Sequence, residues 1–86
     1  MAVSGAEDMF HPPVKRSVEI AGHKTSISLE PVFWRLLVEA AAAEGVPINA
    51  LVGRIDAERV AATSPPGLAG AIRCWLAARF GRQPDQ

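Results

Sequence analysis

The spacing of polar and apolar positions changes twice along the chain. Over Lys15 to Leu29 the period is two: Val18 and Ile20 alternate with Ser17 and Glu19, and Ile27 and Leu29 alternate with Ser26 and Ser28. Alternation of this kind marks half-buried strands. Ala21-Gly22-His23 separates the two runs, and Gly22 supplies the positive φ of a tight turn, so the segment reads as a β-hairpin. The turn centres on Ala21-Gly22 or on Gly22-His23. Under either register Val18, Ile20, Ile27 and Leu29 share one face, and Ser17, Glu19, Lys24, Ser26 and Ser28 share the other.

From Pro31 the period becomes helical. Phe33, Leu36, Leu37 and Ala40 recur at i, i+3, i+4 and i+7, with Trp34, Val38 and Ala41 widening the stripe. Pro31 suits the first helical turn, Glu30 puts negative charge at the positive helix end, and Gly45 is a left-handed stop. After Pro47, Ile48, Leu51, Val52 and Ile55 again lie at helical spacing. Arg54 and Glu58, four apart on the outer face, are expected to pair. Thr63-Ser64-Pro65-Pro66-Gly67 ends this helix. A third runs from Leu68 to about Phe80, with Leu68, Ile72, Trp75, Leu76 and Phe80 on its apolar side and Arg73, Arg79 and Arg82 on a basic one. The expected class is α+β and mostly helical, a β-hairpin followed by three helices. Residues 1–13 show no hydrophobic period and read as a flexible leader, leaving 14–82 as one domain with a first strand at about 15–20 and a last helix at about 68–80.

Composition narrows the choices. Nine Lys/Arg cancel nine Asp/Glu, which excludes an indiscriminate basic coat for nucleic acid and eases self-association. A chain this short hides only about 60% of its unfolded surface, so pairing of subunits is the expected route to stability. Cys74 alone cannot form an internal disulfide, no apolar run nears the length of a membrane span, and the acidic first residues lack a basic targeting region. A soluble, cytoplasmic protein without membrane association is expected.

Candidate chemistry is sparse. His11, His23 and Cys74 match no zinc spacing, and no paired carboxylates, phosphate loop or nucleophile–base group stands out. No enzyme, metal or cofactor is expected. Trp34, Trp75 and Cys74 occupy helical positions where burial is the ordinary outcome.

The order strand, helix, glycine-bearing turn, helix carries more. Lys24-Thr25-Ser26-Ile27-Ser28-Leu29-Glu30-Pro31 through Gly45-Val46-Pro47-Ile48-Asn49-Ala50-Leu51-Val52 resembles the ribbon-helix-helix family, which includes the Arc and MetJ repressors. The string from Lys15 to Glu30 is most similar to a bacterial subgroup with an added N-terminal strand and a third helix. The resemblance implies an intertwined homodimer in which one strand from each subunit pairs antiparallel over Ile27, Leu29, Phe33, Leu36, Leu37, Leu51, Val52 and Ile55. It implies a DNA-binding transcriptional regulator whose strand face enters the major groove, with Lys24, Ser26 and Ser28 toward base edges and Ile48 and Asn49 toward phosphate. Arg73, Arg79 and Arg82 extend the phosphate track on that reading, or simply form a solvated cationic helix half. Asn49 has a local turn-forming role as its alternative, and Lys24, Ser26 and Ser28 have a solvated sheet face as theirs.

Three features favour a second function, a protein-interaction or dimerisation module of the same fold that does not bind DNA. Pro47 stands where the family usually has Ser or Thr, Glu19 sits beside the reading face, and four strands at ~4.8 Å spacing span about 14 Å between outer axes, against a major groove about 12 Å wide. The expected partners are therefore a second copy of the chain, with double-stranded DNA or another protein as the further partner.

Overall fold

The computed structural model describes residues 9–81. Residues 1–8 of the expected leader, and Arg82, lie outside them. Met9 and Phe10 are exposed, and residues 11–13 have no regular structure.

Strands β1 (Val14–Ile20) and β2 (His23–Leu29) form an antiparallel two-stranded sheet. The chain turns at Ala21-Gly22, whose φ values are 52° and 81°. Two consecutive left-handed residues make the tight turn whose twist matches the flanking strands. This settles the register as Val14↔Leu29, Arg16↔Ile27, Val18↔Thr25 and Ile20↔His23 on one face, with Lys15↔Ser28, Ser17↔Ser26 and Glu19↔Lys24 on the other.

Helix α1 (Pro31–Glu44) begins with proline at its first position, where a missing N–H costs nothing. It ends at Gly45, φ 71°. The Gly45 N–H donates to the Ala42 carbonyl at 3.1 Å and the Val46 N–H to the Ala41 carbonyl at 3.0 Å, so two otherwise orphaned carbonyls are satisfied. Helix α2 (Ile48–Val60) starts after an extended Pro47, whose carbonyl accepts from the Leu51 N–H at 3.1 Å. Helix α3 (Leu68–Phe80) starts after Gly67.

One core joins all five elements. Leu29, Leu37, Ala40, Leu51, Val52, Ile72 and Leu76 are fully buried, and Val18, Ile27 and Ile55 nearly so. The third helix therefore does more than extend the motif. Ala71, Ile72 and Leu76 close a core that the hairpin and first two helices leave open within a single chain. Of the side chains expected at a dimer core, Ile27, Leu29, Leu37, Leu51, Val52 and Ile55 are buried within one chain, while Phe33 and Leu36 are half-exposed.

Two expectations are corrected. Arg54 pairs with Glu44, the last residue of α1, at 3.2 Å and not with Glu58: an acid brought within reach by the fold displaces a pair four apart on one helix, which is worth only about 0.3 kcal/mol. Cys74 is exposed: Ile72 and Leu76 take the core-facing side of α3, and Cys74 falls between them on the other side.

Candidate nucleic-acid interface

The outer face of the sheet carries Lys15, Ser17, Glu19, Lys24, Ser26 and Ser28, all exposed. Lys24, Ser26 and Ser28 stand together there, at alternate positions of β2. Lys15 is a further member that the sequence reading missed, although the signal was present: period two, extended back from Ser17, lands on it.

Charge is distributed unevenly over the molecule. Arg73 pairs with Glu30 at 2.9 Å, Arg79 with Glu44 at 2.8 Å, and Arg59 with Asp56 at 2.9 Å. Arg73 and Arg79 also lie over aromatic rings, Phe33 at 6.0 Å and Trp75 at 5.6 Å. These hydrogen-bonded pairs hold both glutamates below the ordinary carboxylate value: Glu30 through the hydrogen bond from Arg73, Glu44 through that from Arg79 and then that from Arg54. The two lysines of the chain, Lys15 and Lys24, both lie on the outer sheet face. Neither forms an ion pair among the described residues. Arg54, Arg59, Arg73 and Arg79 on the helices thus pair with acids, while the sheet face carries two lysines without an ion pair among the described residues, three serines and one acid, Glu19, opposite Lys24.

Arg16 breaks the alternation with a charge. It points to the core face opposite Ile27, with its guanidinium 4.7 Å from the Trp34 ring centre. Its Nε is buried with no hydrogen-bond partner among the described residues, and the Trp34 face offsets part of that cost.

The start of α2 is tied to the sheet. The Glu19 backbone N–H donates to Asn49 Oδ1 at 3.1 Å. Asn49 therefore has its acceptor occupied and its amide N–H groups open, and Ile48 beside it is half-buried. The same bond fixes which backbone groups point outward. A two-residue turn makes Ile20↔His23 a hydrogen-bonded pair, and such pairs alternate with pairs whose N–H and C=O point away from each other. Glu19↔Lys24, Ser17↔Ser26 and Lys15↔Ser28 are of the second kind. The backbone of Lys24, Ser26 and Ser28 thus faces the open edge of β2, as that of Glu19 faces Asn49.

A strand whose open edge leads directly into a helix, a left-handed glycine, and a second helix whose start borders the sheet constitute the architecture, and the ribbon-helix-helix domain family matches residues 13–80. The chain belongs to the ribbon-helix-helix family. Domains of this family are generally those of DNA-binding transcription regulators. Nothing among the curated proteins or the solved structures matches the chain. Within the ribbon-helix-helix domain, β2, α1 and α2 are the elements the family name describes, and the matched residues 13–80 take in β1 and α3 as well. No single helix of the described residues is long and apolar enough to cross a membrane. No group of three His, Cys, Asp or Glu among them is placed to hold a metal.

Proposed function

We propose that the protein is a homodimeric DNA-binding transcription regulator that reads the major groove through the outer face of its sheet. The observation that carries this reading is that Lys15 and Lys24, neither in an ion pair among the described residues, stand with Ser17, Ser26 and Ser28 on one exposed face that holds a single acid, Glu19. Lysine donates to guanine acceptors and serine donates or accepts, so Lys24, Ser26 and Ser28 fit base edges, and the open N–H groups of Ile48 and Asn49 fit phosphate. Arg73 and Arg79, already paired with acids, contribute less field to a phosphate.

The open edge of β2 supports the pairing of two copies through it. With the twofold axis at Ser26, Lys24 of one copy pairs with Ser28 of the other, and a sheet β1-β2-β2-β1 results. The start of α1 of the second copy then lies beside the hairpin tip. A cleft of about 460 Å³ opens there, lined by Ile20, His23, Thr25, Asp56, Arg59 and Leu68. The half-exposed Phe33 and Leu36 of the second copy are the side chains suited to fill it.

Fluorescence anisotropy with a labelled pool of random-sequence duplexes tests the function. Salt-dependent binding that enriches particular sequences, with the enrichment altered by Lys24→Gln, is the expected result. Absence of binding at low salt and micromolar dimer refutes it and leaves the protein-interaction reading. Ser26→Cys in a Cys74→Ser background tests the register separately: a twofold at Ser26 places the two Cα atoms about 5.5 Å apart, within disulfide range.

A further inference from the structure

The four-stranded sheet is too wide to enter a groove whole, and this width assigns a role to the added strand. Resting on the paired-sheet reading above, the register places every outer-face residue on a grid. One row across the sheet runs Lys15, Ser28, then Lys24 and Glu19 of the second copy. The middle row is four serines, Ser17 and Ser26 from each copy. The third row repeats the first in reverse.

Lys15 and Glu19 are four residues apart on β1, hence about 13 Å, and the two β1 strands lie about 14 Å apart, so the two Lys15 residues occupy opposite corners about 19 Å apart. A groove about 12 Å wide admits the central β2 pair but not these corners. Each β1 strand therefore stands over one wall of the groove, where the sugar-phosphate chain runs.

Of the outer-face residues on β1, only Lys15 is a cation. Its cross-strand neighbour is the neutral Ser28, whereas Lys24 lies directly opposite Glu19, a carboxylate that partly offsets its charge. Lys15 is exposed and makes no ion pair among the described residues.

We propose that Lys15 is a phosphate anchor. The two Lys15 side chains of a dimer clamp the two backbones that flank the groove, while the β2 residues between them read bases. The ligand chemistry is the phosphodiester backbone of duplex DNA. The added strand thus converts a two-stranded reading ribbon into a ribbon with charged outriggers.

Anisotropy titrations of a labelled mixed-sequence duplex, repeated from about 50 to 200 mM KCl, test this. Lys15→Gln removes two phosphate contacts per dimer, so the slope of log affinity against log salt becomes shallower by about 1.8, or about 12-fold less loss of affinity across that range. Lys15→Arg keeps the wild-type slope. In the random-sequence pool Lys15→Gln weakens all duplexes alike and leaves the enriched sequences unchanged. Circular dichroism and gel filtration confirm that both variants fold and dimerise as the wild type does.

A wild-type protein that binds while Lys15→Gln keeps its full salt slope overturns the anchor and leaves the DNA reading standing. So does an altered sequence preference in Lys15→Gln, which would make the residue a base reader. Equal loss in Lys15→Arg and Lys15→Gln also overturns it, since charge would not be the agent. A wild-type protein that binds no duplex at the lowest salt overturns the DNA reading and the anchor with it.

Discussion

Leu76→Ala is the substitution that asks whether α3 is part of the folding unit or an appendage to it. Leu76 is fully buried, in one cluster with Leu37, Leu51 and Ile72. Truncation removes three carbons, about 2.4 kcal/mol of transfer free energy at ~0.8 kcal/mol per methylene. The cavity left behind raises the total to about 3–4 kcal/mol, inside the range of buried Leu→Ala changes. A domain of this size holds roughly 4–10 kcal/mol of stability, so a large share is lost. At about 4–8 °C per kcal/mol, Tm falls by at least ~12 °C. The assay is thermal and urea unfolding followed by far-ultraviolet circular dichroism, at one fixed protein concentration because pairing couples folding to concentration. Phe80→Ala is the control: Phe80 lies on the same helix but is 45% exposed, and its loss is expected to cost under about 1 kcal/mol. If Leu76→Ala shifts Tm by no more than Phe80→Ala, α3 does not close the core, and the single-chain packing described above is wrong.

Two further outcomes are expected. The Glu44 carboxylate, shared by Arg79 and Arg54, titrates below its ordinary value near 4.5. A depressed carboxylate contributes its full stability above the unfolded value and loses it as pH falls through the folded one. Wild-type stability should therefore decline below about pH 4.5 more steeply than that of Glu44→Gln, and parallel acid-unfolding curves for the two would show that the arginines do not hold the carboxylate. Ala21 holds a left-handed φ of 52°, which costs a residue with a Cβ about 1 kcal/mol. Asn-Gly is the preferred pair for this turn, so Ala21→Asn should raise the urea midpoint by the equivalent of about 0.5–1 kcal/mol; a lowered midpoint would show that the turn lies elsewhere.

The sheet's two faces were legible in the chain because period two makes them independent of register: shifting the turn by one residue moves the pairing by two and leaves each face intact. Helix limits were legible for local reasons as well, at Pro31, at Gly45 and at Pro65-Pro66-Gly67. Family membership follows from the same order of short-range signals. Other features depend on groups far apart in the chain. Arg73 finds Glu30 across 43 residues and Arg79 finds Glu44 across 35, so their neutralisation, and the contrast it creates with the lysines of the sheet face, carries no local pattern. Asn49 meets Glu19 across 30 residues, and only that contact shows which edge of the hairpin is occupied and which is open. Cys74 and Arg16 were decided the same way: which flank of α3 is exposed depends on where α2 and the sheet lie, and the cation on the core face meets the Trp34 ring, which comes from α1. Local sequence sets dihedral preference and the division into polar and apolar sides, because both act within a few residues. Charge matching, edge closure and the role of α3 are set by packing, because their energies arise only when distant segments meet.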